Sequence, residues 1–391
     1  MLSCPRMLLI GAAGRNVGKT ELACALIRRL SATRRVVGLK VTTIRECGGR
    51  CPRGGDGCGV CSSLGEPFLF SEERDPAGTK DTSRLLRAGA ARVLWLRVQS
   101  AHLEAGLRAV LAEIPADELV VCESNAVRQV LVPGLFLALR RAGVTEAKPS
   151  YAEVVQHADR VVELTPAGFD LDPAEIVVIG QRWCMRPRAS AAILAGGESR
   201  RMGEDKSLLD LDGQPLIAHI AAQLTCFPEV LLGANDPARY AFLGLPVVPD
   251  RQRGRGPLMG ILSCVAAAAH DLCFVTACDV PVLDLEFVLG LLQQAEGHDV
   301  VMPTLPDGRS EPLLAVYRKT IVPPAEELLR EGPQRIIALL DRVRVRRVPL
   351  PAGHGYANLN TPEDYRSWLL QRRSAGDGQG PPGRFPTDGS S

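Results

Sequence analysis

The residues best placed to do chemistry lie in Leu194-Ala-Gly-Gly-Glu-Ser-Arg-Arg-Met-Gly-Glu-Asp-Lys206. Two adjacent glycines let the backbone approach a ligand closely and take φ > 0 without steric cost. Arg200, Arg201 and Lys206 add three cations within seven residues. Backbone N–H groups with converging cations suit a nucleoside triphosphate, whose phosphates need both donors and compensating charge. Gly-Gly alone reads as a surface loop. Here a short apolar run, Ala191 to Leu194, precedes it as the end of a buried strand, and the whole string reads as a nucleotide site.

A second carboxylate-bearing stretch fits the same chemistry. Leu272-Cys-Phe-Val-Thr-Ala-Cys-Asp279 reads as a buried strand ending in a lone acid, which can hold Mg²⁺ beside an α-phosphate; the plainer reading is a cap before a loop. Asp250 ends another short strand, and Lys206 lies in the loop after a third. In a mostly parallel sheet such groups converge at the carboxyl edge, where ligands bind.

The first half carries its own phosphate motif, Ala13-Gly-Arg-Asn-Val-Gly-Lys-Thr20, behind the apolar strand Met7 to Ile10. Gly14 and Gly18 let the loop wrap phosphates, Lys19 reaches them, and Thr20 ligates Mg²⁺. Glu21 to Leu30 continues as an amphipathic helix and Val36 to Lys40 as the next strand. Glu118 to Glu123 reads as a buried strand whose final carboxylate, Glu123, is either a metal- or water-orienting acid or an ordinary strand-end charge. Between these lies Cys47-x₃-Cys51-x₆-Cys58-x₂-Cys61, four thiols in fifteen residues with interleaved glycines. This spacing suits tetrahedral Zn²⁺ and is compatible with an iron–sulfur cluster; the alternative is a metal-free Cys-rich loop.

Strand–helix alternation in both halves predicts α/β architecture: two doubly wound, mostly parallel-sheet domains, the first of phosphate-loop NTPase type and the second Rossmann-like. The expected domains are 1–184, with the Cys-rich insertion at 47–61, and 189–372, followed by a disordered Gly-, Pro- and Ser-rich tail at 373–391. Two further runs, Arg160 to Leu164 and Glu175 to Ile179, should complete the first sheet. The basic segment Gln181 to Arg188, with Pro187, reads as the boundary. Lys148-Pro-Ser150 reads as a turn, or as a base-contacting loop.

The 194–206 string resembles the signature loop of the nucleotidyltransferases that attach a nucleotide to the molybdenum cofactor, and its Leu-Ala-Gly-Gly opening the guanylyltransferase branch. The resemblance spans roughly Ala189 to Leu370. It implies nucleotide contacts at Leu194, Ala195, Gly196, Lys206, Asn235, Asp250 and Asp279, with Mg²⁺ on Asp279. Lys206, Arg201 and the Gly196 and Gly197 amides would then stabilise leaving pyrophosphate. Gly256-Pro-Leu258 resembles the base-side loop. Asn358 and Asn360, in Asn358-Leu-Asn360-Thr-Pro-Glu-Asp-Tyr365, would border the pterin side; Thr361 and Pro362 cap the last helix. The first half, roughly Met7 to Ile179, resembles the molybdopterin-guanine dinucleotide adapter proteins, which bind GTP. The matching pieces are the phosphate loop, Gly38-Leu-Lys-Val-Thr-Thr43, Lys80-Asp-Thr-Ser-Arg-Leu-Leu-Arg-Ala-Gly-Ala-Ala91 and the strand to Glu123. It departs from them in the Cys47–Cys61 insertion and in Ser124-Asn125, where a glycine is usual.

The resemblances together imply a fusion that transfers GMP from GTP to metal-loaded molybdopterin, releasing pyrophosphate. The rivals are cytidylyl transfer to the same cofactor, nucleotidyl transfer to a sugar phosphate, and a GTP-dependent adapter or insertion chaperone without transferase activity. Implied partners are molybdopterin, GTP, molybdenum enzymes and earlier cofactor-building proteins. With 391 residues the chain exceeds one ordinary core, and 46% hydrophobic with 23% charged residues is a globular profile. A net charge of +2 gives no support for a nucleic-acid partner, and no apolar run reaches membrane-spanning length. The start faintly resembles a signal peptide, but cleavage would destroy the phosphate motif, so a cytoplasmic protein is expected. Twelve cysteines in a reducing compartment point to metal at the cluster and small core residues elsewhere. A phosphate nucleophile is already ionised, so none of the six histidines is assigned to catalysis.

Overall fold

The computed structural model describes residues 1–44, 66–195, 205–305, 307–351, 359 and 361–374. Cys47, Cys51, Cys58, Cys61, Gly196, Gly197, Arg201, Asn358 and Asn360 lie outside the described residues. The chain divides into two compact units, Met1–Met185 and Arg186–Ser391.

The first unit runs β1 (Leu2–Ala12), α1 (Lys19–Leu30), β2 (Val36–Ile44), β3 (Phe68–Glu72), α2 (Asp81–Arg87), β4 (Arg92–Gln99), α3 (Leu103–Ala112), β5 (Leu119–Glu123), β6 (Leu131–Arg141), α4 (Pro149–Ala152), β7 (Arg160–Thr165) and β8 (Gly168–Phe169). Its eight-stranded sheet has the order β3-β4-β2-β5-β1-β6-β7-β8. The six inner strands are parallel and the edges β3 and β8 antiparallel. Alternation along β1 explains the two-sided core. Leu8 and Ile10 pack with Leu22, Leu26 and Ile27 of α1 and Leu85 of α2. Met7 and Leu9 pack on the other face with Leu103, Leu107 and Val110 of α3.

The run read as a last strand of this sheet does something else. β9 (Ile176–Ile179) pairs antiparallel with β10 (Arg182–Met185) as a separate hairpin. Four of the residues read as a basic boundary are therefore a strand. Its anchor is Trp183, fully buried in the α1-side core with its indole N–H donating to the Arg6 carbonyl at 3.0 Å.

The second unit runs β11 (Ser190–Leu194), β12 (Asp210–Leu211), β13 (Gln214–Pro215), α5 (Leu216–Gln223), β14 (Glu229–Gly233), β15 (Val247–Val248), α6 (Pro257–Ala267), β16 (Leu272–Ala277), α7 (Leu285–Gln293), β17 (Val300–Thr304), β18 (Leu314–Arg318), α8 (Val322–Arg330), α9 (Ile336–Leu340), β19 (Val345–Pro349) and α10 (Pro362–Ser374). Seven of these strands form one sheet, β15-β14-β11-β16-β18-β17-β19, in which only β18 runs against the others. Ala192, Leu194 and Val275 face the core built on α6, α8 and α9. On the opposite face Phe274 stacks on Phe227, just after α5, with ring centroids 6.0 Å apart. Asp212 and Gly213, both with positive φ, make the two-residue turn of the β12–β13 hairpin. The last helix opens on a reciprocal cap: Asp364 N donates to Thr361 Oγ1 at 3.1 Å and Thr361 N to Asp364 Oδ2 at 2.8 Å. No helix among the described residues is long and apolar enough to cross a membrane.

Candidate functional site

The carboxyl ends of β14, β11 and β16 lie side by side, with Leu194 in register with Gly233 and Ala277. The backbone ties continue past the strands: Ala195 N donates to Gly233 O at 2.9 Å, and Cys278 N to Leu194 O at 3.1 Å. Gly233 is required here, since a Cβ would lie 2.8 Å from Leu194 Cδ2 and 2.9 Å from Cys264 Sγ. The register fixes where the chemical groups emerge. Lys206 Nζ stands 3.9 Å from Asp279 Oδ2, with side chains 18% and 20% exposed. Burial pushes the Asp279 carboxyl above its usual range, and Lys206 pulls it back down. A largely desolvated carboxylate with its cation at the outer limit of contact keeps coordination capacity. Its hard oxygens fit Mg²⁺. The Asp279 carbonyl also accepts the buried Leu359 N–H at 2.9 Å.

Asn235 and Asp250 face each other. Asn235 Nδ2 donates to Asp250 Oδ2 at 2.9 Å, and Asp250 N donates to Asn235 Oδ1 at 3.0 Å. This clasp joins the loops after β14 and β15. Gly256, at φ 81, starts α6 beside them, and a Cβ on Gly260 would be 3.6 Å from Asp250 Oδ1. Leu194, Ala195, Lys206, Asn235, Asp250 and Asp279 are therefore placed along one edge of the sheet.

A set that sequence reasoning missed holds Lys206. Ser207 is fully buried; its N–H and hydroxyl both donate to Asp205 Oδ1, at 3.1 and 2.7 Å. The buried Tyr240 hydroxyl lies 3.2 Å from Asp205 Oδ2, 3.1 Å from Ser207 Oγ and 3.4 Å from the Ala195 carbonyl. Arg239 adds an ion pair to Asp205 at 2.9 Å. The Asp205–Ser207 turn is local and its spacing was readable. Tyr240 sits far along the chain with no motif to flag it, yet it connects both ends of the 195–206 loop.

The first unit builds a separate site. Gly18 caps α1 in the left-handed region at φ 82, where a Cβ would meet Phe169 Cζ at 2.7 Å. Lys19 and Thr20 then open the helix. Glu123 ends β5, in register with Ile10 on one side and Lys40 on the other. The Thr20 side chain lies close enough to Glu123 and Asp81 to influence both carboxyls, and Lys40 forms an ion pair with Asp81. Burial lifts the Glu123 carboxyl above its usual range, and Asp81 adds to the lift; Thr20, Lys40 and Lys19 oppose it. Burial also lowers the Lys19 amine, against the attraction of Glu123. For Asp81 burial pushes upward, but Lys40 and Thr20 prevail and hold the carboxyl low. Glu123 is 4% exposed, and its Oε1 has no hydrogen-bond partner among the described residues. A buried carboxylate oxygen left open near a threonine hydroxyl at a helix start has the hard-donor character that suits a divalent cation. Lys40 and Asp81 lie in strings quoted above for their resemblance, without assigned roles. Asn125 explains the departure from glycine: its Oδ1 accepts the Ala12 N–H at 2.8 Å, and its Nδ2 donates to Ala12 O and Ser150 Oγ at 3.1 and 3.2 Å. Lys148 N donates to Ala13 O at 2.9 Å, so the Lys148–Ser150 turn is fastened to the loop after β1.

Residues 191–345 match the MobA-like NTP transferase domain. The chain is 37% identical over 187 residues to a probable molybdenum cofactor guanylyltransferase of Carboxydothermus hydrogenoformans, covering 46% of this chain and 94% of that one. The chain belongs to the molybdenum cofactor guanylyltransferase family. The guanylyltransferase of Rhodobacter capsulatus is 38% identical over 186 residues, covering 45% of this chain and 93% of its own. A solved molybdopterin-guanine dinucleotide biosynthesis protein A from Archaeoglobus fulgidus is 25% identical over 47% of this chain and 99% of its own, with a TM-score of 0.42. The MobA-like NTP transferase match begins one residue into β11, so it lies in the second unit.

Proposed function

We propose that the second unit transfers GMP from GTP to molybdopterin, forming the guanine dinucleotide cofactor and releasing pyrophosphate. The observation that carries this reading is the pairing of Lys206 with Asp279 at the carboxyl edge of the sheet, in a chain 37% identical to a named guanylyltransferase. A terminal phosphate oxygen of molybdopterin attacks the α-phosphorus of GTP; the bond from that phosphorus to the β-bridging oxygen breaks, and pyrophosphate leaves with the electron pair. A Mg²⁺ ion on Asp279 would supply Lewis-acid charge at the α-phosphate. Lys206 then lies where its ammonium meets the negative charge that builds on the departing oxygens. Asn235 and Asp250, locked to each other beside the α6 N-terminus, form the wall on which the nucleoside is oriented. The family resemblance assigns Arg201, Gly196 and Gly197 to the triphosphate and Asn358 and Asn360 to the pterin side; these five lie outside the described residues.

The test is product identity. Purified chain, Mg²⁺ and metal-loaded molybdopterin, given GTP or CTP, should yield the guanine dinucleotide with GTP alone. A cytosine dinucleotide overturns the base assignment, and no dinucleotide with either overturns the transferase reading.

Tyr240 provides a check on the Lys206 turn. Tyr240→Phe keeps the ring packing and loses the hydroxyl that spans Ala195, Asp205 and Ser207. A hydrogen bond to a charged group such as the Asp205 carboxylate contributes about 1.5–3 kcal/mol, so kcat/KM for GTP should fall by up to about a hundredfold. Steady-state kinetics with GTP varied would show it, and an unchanged kcat/KM would remove Tyr240 from the site's support.

The first unit we read as a GTP-binding phosphate-loop adapter, on the strength of Gly18, Lys19 and Thr20 at the start of α1 and Glu123 opposite them. In this reading it is a functional domain of its own, with the Cys47, Cys51, Cys58 and Cys61 insertion as a further metal site.

A further inference from the structure

On the reading of the first unit as a metal–nucleotide site, we infer that Asp81 is a third oxygen donor to the cation of Thr20 and Glu123, and that the Lys40 ammonium holds Asp81 until that cation binds. Three observations converge on it. Thr20 lies in the first turn of α1, and Lys40 ties Asp81 by an ion pair to the strand position beside Glu123, so both carboxylates face that turn. Glu123 Oε1, in a side chain 4% exposed, is left open among the described residues. A buried carboxylate oxygen without a partner calls for an explanation, and a bound ion is one that its hard oxygen suits. Lys40 lies in register with Glu123 across β2 and β5, and its ammonium pairs with Asp81.

The ion pair has the character of a stand-in. Its partners are 27% and 43% exposed, and an ion pair that wet contributes little to folding. A divalent cation prefers oxygen donors and carries twice the charge, so it displaces the ammonium from Asp81. Lys40 is then released next to Lys19, where a flexible ammonium meets phosphate oxygens. Asp81 thereby links metal arrival to the freeing of a second phosphate-binding lysine. The string that contains Asp81 does not announce this role, because the acid comes from the start of α2 and its partners from α1, β2 and β5.

The experiment uses full-length chain carrying Asp279→Asn, so that the second unit's candidate metal position is removed, and Mn²⁺ alone as probe, with bound and free ion counted by electron paramagnetic resonance. Lys40→Met, which keeps the stem and drops the charge, should tighten Mn²⁺ binding by about tenfold. Asp81→Asn should weaken it by about ten- to a hundredfold, and the Lys40→Met gain should vanish when both changes are combined. Glu123→Gln should remove the site. Mn²⁺ affinity unchanged by Asp81→Asn, or lowered by Lys40→Met, overturns the inference. Counting GTP equivalents per chain at saturating Mg²⁺ keeps the two ideas apart and shows that the variants are folded. A first-unit GTP equivalent retained in Asp81→Asn with unaltered Mn²⁺ binding leaves the phosphate loop standing and removes only Asp81. Absence of that equivalent from the chain with its first-unit residues intact overturns the phosphate-loop reading itself.

Discussion

Lys206→Ala lowers kcat/KM for GMP transfer by roughly a hundred- to a thousandfold, the loss that follows removal of one preorganised charge from a transition state. Asp279→Asn does at least as much, because it removes the carboxylate that would position the cation as well as the electrostatic partner of Lys206. The two side chains act on one triphosphate, so the double variant loses far less than the product of the single effects. Stability should fall far less than activity. The pair is 3.9 Å apart, beyond good hydrogen-bond length, but its side chains are only 18% and 20% exposed, so losing one partner leaves the other desolvated and lowers the unfolding temperature without abolishing the transition. Pyrophosphate release and dinucleotide formation are the measurements, with thermal unfolding alongside. Full turnover in either variant would sink the assignment. Equal loss of activity and of the unfolding transition would make these residues structural.

What could be read in the sequence and what could not divide along a physical line. Strands that are buried on both faces, such as Ser190–Leu194 and Leu272–Ala277, announce themselves as apolar runs, and acids or glycines at their ends mark the ligand edge. Hence Lys206, Asp250 and Asp279 could be assigned to one edge before any contact was known. Pairing partners are not encoded so locally. Ile176–Ile179 reads as a sheet strand, yet it closes with Arg182–Met185, because the neighbouring charges of Gln181–Arg188 mask a fully buried Trp183. The short strand read as ending at Asp250 spans only Val247–Val248, since Pro249 has no N–H for the ladder. The supporting residues of both sites depend on tertiary contact alone. Tyr240 reaches the Lys206 turn from an element with no chemical signature, while Asn125 reaches the loop after β1 and Asp81 the Thr20 side chain from strings whose sequence assigned them no role.

Lys19→Ala should leave the chain binding one GTP where the unaltered chain binds two. The count tests the first unit without requiring any knowledge of what its nucleotide is for. Lys19 is largely buried at the first residue of α1, close enough to feel Glu123, Lys40 and Asp81. A lysine kept there against its desolvation requires anionic company, and Glu123 and Asp81 provide it in the protein alone, as the triphosphate would in the complex. Removing the amine leaves the Gly18 turn and the helix N-terminus intact but takes away the main positive charge aimed at the β and γ phosphates. First-unit affinity should therefore fall by about a hundredfold or more, the same order as loss of a charge-assisted contact of about 3 kcal/mol. Isothermal titration with a non-hydrolysable GTP analogue resolves the two sites, and Lys206→Ala supplies the reciprocal case, weakening the second-unit site. Two equivalents surviving in Lys19→Ala would mean that the loop after β1 is not a phosphate cradle. One equivalent in both the unaltered chain and Lys19→Ala would confine nucleotide chemistry to the second unit and leave the Thr20, Asp81 and Glu123 cluster as a metal site without a nucleotide.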